Sequence, residues 1–492
     1  MTREPSPCWG DWEPVIGLEV HAQMRTASKL FCACPTTFGA RPNANTCPVC
    51  LGLPGVLPVL NRTAVDYAIR TALATGCTVA ATSRWARKNY FYPDLPKGYQ
   101  ISMYDQPLAA GGSIEFVRDG VRSHIRLTRI HMEEDAGKSV HGGAATEAES
   151  FVDLNRAGVP LMEIVSEPDI RSPQEAADYL RTLRSILQYL EVCDGNMEEG
   201  SLRCDANVSV RRRGTDTLGT RAEIKNINSF RGVERAIEVE IERQIDLIEG
   251  GGTVKQETRL WDADRERTAP MRSKEDAHDY RYFSEPDLPP LRVEPARIAT
   301  IRAALPELPA ARRQRLEGTH GLPPYDAETL TMRRDLAEFF EECCAAGGSP
   351  KTLANWILSE IWRVVRERRL DDALRIEAWP VAPTALSELV ALIEDGTISG
   401  KIAKTVFEEM TTTGEAPATI VANRGLRQVS DEGAIAAAVD SVLAAHPDKV
   451  AELRAGKEKL LGFFVGQVMK ATGGKANPAM VNEIIARRLA DS

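Results

Sequence analysis

His124-Ile125-Arg126-Leu127-Thr128-Arg129-Ile130 runs directly into His131-Met132-Glu133-Glu134-Asp135-Ala136-Gly137-Lys138. The first seven residues alternate polar and apolar, the period of a β-strand with one covered face. The next eight hold three carboxylates, an imidazole and an ammonium. If the strand continues through Glu134, Met132 and Glu134 share one face, and His131 and Glu133 take the other. Taken alone, such a run is a solvated acidic turn. It becomes a site only if other strands bring complementary groups to the same sheet.

Val15-Ile16-Gly17-Leu18-Glu19-Val20-His21-Ala22-Gln23-Met24 is a second alternating strand. It places Gly17, Glu19 and His21 opposite Ile16, Leu18 and Val20, so a polar face backs onto a fully apolar one. Further strands are expected at 206–211 and 220–225. Helices are expected at 62–74, at 173–192 behind a Ser172 cap with Pro173 in first position, and at 230–248. Beyond Pro289-Pro290 the pattern turns helical, with helices expected at 297–317, 326–345, 351–368, 383–395, 398–411, 432–444, 447–455, 457–471 and 478–490. The fold class is therefore α+β: a β-sheet-based domain over 1–293, a helical linker over 294–346 and an all-α tail over 347–492.

The 492 residues, 43% hydrophobic and 27% charged, describe an ordinary globular protein with several cores. No apolar run reaches the roughly 20 residues of a membrane span, and the first residues lack a signal-peptide core. A cytoplasmic protein is expected, with its ten cysteines as free thiols or metal ligands. The net charge of −9 disfavours attraction of nucleic acid to the whole surface but leaves room for a local basic face.

Cys32-Ala33-Cys34 and Cys47-Pro48-Val49-Cys50 stand twelve residues apart. Two close thiol pairs on one loop resemble a zinc ribbon, and four thiolates give Zn²⁺ a closed tetrahedral shell. A structural zinc that pins the loop following the first strand is expected. Other acids are dispersed: Glu19, Glu134, Glu163, Asp205 and Glu223 fall near expected strand ends. Several carboxylates on one sheet need a compensating cation, and Mg²⁺ takes such oxygen ligands while bridging to substrate phosphates.

The common phosphate loop is missing, as are the dinucleotide-binding, zincin and nucleophile-elbow motifs. The basic-aromatic run Arg84 to Gln100 has cations to meet phosphate and rings to stack on a base, although a packed loop with snorkelling cations explains the composition equally well. Residues 401–492 carry twelve Lys/Arg against eleven Asp/Glu, so this part is near neutral within an acidic chain. Arg424, Lys457, Lys459 and Lys475 lie near glycines and could grip an RNA backbone; a charge-balanced helical surface is the plainer reading.

Taken together, these stretches resemble the GatB family, the B subunits of bacterial tRNA-dependent amidotransferases. The matching pieces are Ile16 to His21, Pro54 to Asn61, Lys88 to Ser102, His131 to Lys138, Asp153 to Leu161, Ser166 to Asp169, Gly200 to Asn207, Glu223 to Ser229 and His278 to Phe283. The helical end, with Trp356-Ile357 and its glycine- and lysine-rich tail, resembles the family's tRNA-binding domain. The archaeal E subunit carries an inserted domain between the two parts; here Pro290 passes directly into helices.

The resemblance implies a protein that takes Glu-tRNA(Gln) or Asp-tRNA(Asn), phosphorylates the side-chain carboxylate with ATP and Mg²⁺, and lets ammonia displace phosphate. It implies an antiparallel β framework, a glutaminase A subunit that supplies the ammonia, and a small C subunit completing a heterotrimer. No partnership with membrane or DNA is implied. Glu19, His21, Glu134, Glu163, Asp205 and Glu223 are the implied Mg²⁺ ligands. Glu134, Lys138 and Lys225 are the implied catalytic groups, and Lys88 and Lys97 the implied nucleotide contacts. On this reading Glu134 serves the site, whereas His131 and Glu133 face away. Two rivals stand beside it: a zinc-containing RNA-binding scaffold, and a stand-alone ligase using free ammonia.

Overall fold

The computed structural model describes residues 9–118, 120–141, 150–271, 280–368, 379–428, 432–454, 457, 459–473 and 476–490. It divides into two compact units, Met1–Ala310 and Ala311–Ser492.

The first unit is built on a 14-stranded sheet. Its main strands are β1 (Trp12–Gln23), β2 (Thr82–Asn89), β3 (Tyr99–Gln106), β4 (Val121–Glu134), β5 (Pro160–Ser166), β6 (Leu202–Arg212), β7 (Ala222–Ile227) and β8 (Thr258–Asp262). Across the sheet the order is Arg267–Pro270, β8, β7, β6, β1, β5, β4, β3, β2 and Phe283–Ser284. Every pair on this path is antiparallel except β7 with β8, which is parallel. The expected antiparallel framework is corrected at that one pair. A helix, Phe230–Glu249, intervenes between β7 and β8, and parallel neighbours need such a crossover.

Alternation divides the sheet into two faces. Ile16, Leu18 and Val20 of β1, Ile130 and Met132 of β4, Met162 and Ile164 of β5, and Ala206 and Val208 of β6 are fully buried in one core. Three helices contribute to that core: α1 (Arg62–Ala74), α2 (Pro173–Tyr189) and α3 (Phe230–Glu249). Each is started by a side chain. Asn61 accepts from the amides of Thr63 and Ala64, Ser172 from Glu175, and Ser229 from Gly232. The opposite face of β1, β4, β5 and β6 carries the polar residues.

The helical part divides differently from the sequence expectation. Ile298 and Ile301 of helix Pro295–Ala303 pack on the first unit's core, so that unit extends past residue 293. Pro306 and Pro309 break the expected helix 297–317 into Pro295–Ala303 and Pro309–His320. The expected boundary between 346 and 347 cuts through one core. Phe339, Phe340 and Cys343 pack there with Leu353, Leu386 and Leu389, and the Ser387 hydroxyl donates to the Cys343 carbonyl at 2.7 Å. A separate small core joins Ile435, Val439, Phe464, Val468, Ile484 and Ile485. The helix Pro417–Asn423 was not expected. Among the described residues, no helix is long and apolar enough to cross a membrane.

Candidate functional site

Registry assembles the site. His21 of β1 lies opposite Glu163 of β5, and Glu163 lies opposite His131 of β4. Three strands thus place two imidazoles and a carboxylate in one row, and Glu133 follows His131 on the same face. His21 Nε2 is 3.5 Å from Glu163 and 3.9 Å from Glu133. His131 Nε2 is 3.3 Å from Glu163 and 3.8 Å from Glu133. Among the described residues, His131 Nδ1 is buried without a partner. Arg129 reaches Glu163 at 3.8 Å.

One donor atom from each of His21, Glu133 and Glu163 lies within 4.8 Å of the others. Octahedral Mg²⁺, with bonds of about 2.0–2.1 Å, places neighbouring donors about 3 Å apart and opposite donors about 4.2 Å apart. The His21–Glu163 and His21–Glu133 spacings, 3.5 and 3.9 Å, lie between these two values, so small side-chain rotations would bring the three donors into that shell. Without a cation the acids and imidazoles compensate each other. Burial disfavours the charged imidazole of His131, yet Glu133 and Glu163 outweigh it and raise its pKa to about 9. Burial likewise opposes ionisation of Glu163, but hydrogen bonds and charge from His131 and His21 hold it well below the usual carboxylate range.

The same face continues through Glu19, Asp205 and Glu223. Lys225 Nζ lies 2.9 Å from Asp205 and 3.0 Å from Glu223. Asn207 donates to Glu19 at 2.9 Å. Burial, then repulsion from Glu163, Glu223 and Asp205, raises the Glu19 pKa. At the other end, the Lys88 ammonium lies 4.9 Å from the Tyr280 ring centre, and its charge helps to hold Glu133 ionised. Tyr104 stacks on Tyr282 and meets His131 edge-on. Beside Glu19 the face opens into a groove of about 290 Å³, whose walls include Gly17, Val165, Asn207, Leu218 and Arg221.

Asp135 locks the end of this face. It accepts from Gln23 at 2.7 Å and Arg203 at 2.9 Å, with Arg156 at 3.6 Å. Burial would raise its pKa, but Arg203, Arg156 and Gln23 together lower it. The depressed folded value fixes the sign of a pH effect. The stabilisation is fully present above the ordinary aspartate value of about 3.9 and is lost as pH falls through the folded value. Asp135→Asn is expected to cost about 1.5–3 kcal/mol at pH 7. Urea unfolding at pH 7 and near pH 3 checks this: the gap between the two proteins should close on acidification, and a pH-independent gap would contradict it.

Glu134 turns to the opposite face, as alternation requires. Its carboxylate pairs with the Lys97 ammonium and accepts from the Ile101 amide at 3.0 Å. Both lie on a small cavity of about 100 Å³ shared with Phe31, Cys50, Val56 and Ile101. Here the four cysteines converge. One Sγ from each of Cys32, Cys34, Cys47 and Cys50 lies within 4.8 Å of the others, with Cys47 and Cys50 3.9 Å apart. Tetrahedral Zn–S bonds of about 2.3 Å separate sulfurs by about 3.8 Å, so this donor set fits the metal. Cys32 donates to Cys50 and, against burial, helps pull its thiol pKa down, together with the Cys47 amide and the Lys29 ammonium.

Comparison with known proteins decides the family. Residues 14–299 match the GatB/GatE catalytic domain, and residues 338–489 match the GatB domain. The B subunit of the aspartyl/glutamyl-tRNA(Asn/Gln) amidotransferase of Geobacter sulfurreducens is 58% identical over 480 residues, covering 97% of this chain and 99% of that protein. The protein of the same name from Moorella thermoacetica is 57% identical over 479 residues, covering 97% and 100%. The chain belongs to the GatB family. The matched GatB regions thus include both the sheet with its two-sided β4 and most of the second unit.

Within this GatB framework the expected site residues separate. Glu19, His21, Glu163, Asp205 and Glu223 share one face with Lys225, and Lys88 stands at its edge. Glu134 and Lys97 lie on the other face, so the expectation that Glu134 joins the acid cluster while Glu133 and His131 face away is corrected. The alternation was right; the side that carries the cluster was not. Lys138 opens the strand Lys138–His141 with an exposed side chain. In the second unit, Arg424 pairs with Glu409 and Lys457 with Glu452, and Lys459 is exposed. Lys475 lies outside the described residues, as do His278 and Asp279 of the family motif. The sequence reading missed Glu133, His131 and Lys29. For the first two the signal was present in the strand period but needed its neighbours.

Proposed function

We propose that this chain is the kinase and transferase component of a glutamine-dependent tRNA amidotransferase acting on Glu-tRNA(Gln), Asp-tRNA(Asn) or both. The observation carrying the reading is the His21–Glu133–Glu163 cluster set on a wide charged sheet face. A carboxylate is a poor acyl donor, because its leaving group would be oxide or hydroxide. Phosphorylation by ATP gives an acyl phosphate, and attack by ammonia then forms the C–N bond as the C–O bond to phosphate breaks. Mg²⁺, when bound, would neutralise charge on the transferring phosphates.

The chain's own residues provide the frame. His21, Glu133 and Glu163 are the proposed Mg²⁺ ligands, with Glu19, Asp205 and Glu223 as further carboxylates along the path. Arg129, Lys88 and Lys225 supply positive charge where phosphate and carboxylate oxygens gather. The groove beside Glu19 accommodates the nucleoside, with apolar walls at Val165 and Leu218 and polar groups at Asn207 and Arg221. Lys97 and Lys138 are proposed as further contacts from outside the cluster. Arg424, Lys457, Lys459 and Lys475 are proposed to meet tRNA phosphate, the first two by exchanging their glutamate partners for it. A partner A subunit hydrolyses glutamine and supplies ammonia, a C subunit completes the heterotrimer, and the complex works in the cytoplasm. The four cysteines hold structural zinc.

The test is ATP cleavage by the assembled enzyme with Mg²⁺, with and without misacylated tRNA. ADP and phosphate should form only with Glu-tRNA(Gln) or Asp-tRNA(Asn). The purified chain alone should use ammonium and not glutamine. Cleavage indifferent to tRNA charging would refute the kinase assignment, and glutamine use without a partner would refute the division of labour.

A further inference from the structure

Lys29 is fully buried, yet it has no carboxylate partner among the described residues. Its ammonium donates to the carbonyls of Asn45, at 2.7 Å, and Leu154, at 3.3 Å, and its third neighbour is Cys50 Sγ at 3.6 Å. A buried ammonium facing only neutral acceptors is costly and demands a compensating negative charge. Four cysteine thiolates around one divalent cation carry a net charge of −2, and Cys50 is the member against which Lys29 rests.

The backbone around this contact is equally fixed. The Lys29 amide donates to the Cys34 carbonyl at 2.9 Å, and the Leu30 amide donates to the Gly158 carbonyl at 2.9 Å. Gly158 has φ +85°, and a Cβ placed there would meet Cys50, the Lys29 stem and the Glu134 carboxylate, all within 4 Å. The Gly158 amide donates in turn to the Asp135 carbonyl at 2.8 Å. Lys29 therefore stands where the cysteine loop, the turn at 154–158 and the acidic end of β4 meet.

We propose that Lys29 is the counter-charge of the four-cysteine centre, a positioning residue that holds Cys50 in the ligand set and fastens its loop to the 154–158 turn. This rests on the reading of the cysteines as a zinc site, and the experiment separates the two. Zinc content is measured on the purified full chain, followed by zinc release to a colorimetric chelator. The Co²⁺-substituted protein is examined for its thiolate charge-transfer band. Lys29→Met keeps the stem without the charge, and Lys29→Arg keeps the charge in a different shape.

Loss of an outer-shell partner typically weakens metal retention by about 10–100-fold, and that is the expected effect of Lys29→Met, with a shifted cobalt band. Lys29→Arg should stay within about threefold of the parent protein on the same scale. Parent-like retention and an unchanged band in Lys29→Met would overturn the proposal, as would Lys29→Arg losing as much as Lys29→Met. If Lys29→Met does not fold, Lys29→Arg decides alone: near-parent retention supports the charge role, and a loss beyond about tenfold overturns it. A parent chain without bound zinc, unchanged by Cys50→Ser, would instead remove the zinc site itself.

Discussion

Glu163→Gln is expected to lower tRNA-dependent ATP cleavage by about 10²–10³-fold, the scale on which a single charge-stabilising group acts in a closed site. The side chain sits between His21 and His131, at 3.5 and 3.3 Å, with Arg129 on its other oxygen. Glutamine keeps the volume and one acceptor but takes from His21 and His131 the carboxylate they share, so some stability is lost and rates are compared at a temperature where the variant is folded. What disappears is the negative charge that a divalent cation and both imidazoles share. The Mg²⁺ concentration needed for half-maximal cleavage should rise together with the rate loss. Retention of more than a tenth of the parent rate, with unchanged Mg²⁺ dependence, would exclude Glu163 from the site. Glu134→Gln is the comparison of interest: its carboxylate is engaged by Lys97 on the far side of the strand, so its Mg²⁺ dependence should match the parent.

Lys97→Met is expected to destabilise the first unit by about 3–5 kcal/mol, the cost of removing one partner from a buried ion pair. The Lys97 and Glu134 side chains are 9% and 3% exposed, so little water reaches the abandoned carboxylate. Among the described residues, the Ile101 amide alone remains to solvate it, with Gln100 held on the Glu134 carbonyl rather than on the side chain. The second variant in the cycle is Lys97→Met combined with Glu134→Gln. It removes the orphaned charge while keeping an acceptor for Ile101, and should recover most of the loss. Urea denaturation of the parent, both single variants and the double variant measures this. A double variant as unstable as Lys97→Met would show that the lysine stem, not the pairing, matters.

Much of the architecture was visible in local pattern. The two faces of β1 follow from its alternation, and the start of α2 from Ser172. The cysteine spacing predicted the convergence that the loop shows. The identity of the acid cluster was not visible, because it depends on which strands become neighbours. Nothing near His131 says that Glu163 lies opposite it; that follows from β5 entering between β1 and β4. Once the register is known, Glu133 and His131 join His21, and Glu134 leaves the cluster. Lys29 escaped for a related reason. Within Ser28-Lys29-Leu30-Phe31 it resembles a surface lysine, and only the folding of two distant loops over it makes it interior. The helical boundaries failed where proline, rather than hydrophobic period, sets the break, as at Pro306 and Pro309.

The two-sided ending of β4 has a consequence for how this gene can vary. Odd positions, His131 and Glu133, belong to the charged face; even positions, Met132 and Glu134, belong to the core and the cysteine loop. From Ile130 to Glu134 meaning is carried by parity; the register shift opposite Val165 and Ser166, which hands the core side from Leu127 to Ile130, lies before this stretch. A substitution alters one function at a time, whereas a single inserted or deleted codon within it would exchange both sets at once. It would turn charged groups into the apolar layer and carry Met132 out to the polar face. Length in this segment is therefore under stricter constraint than the identity of any one of its side chains.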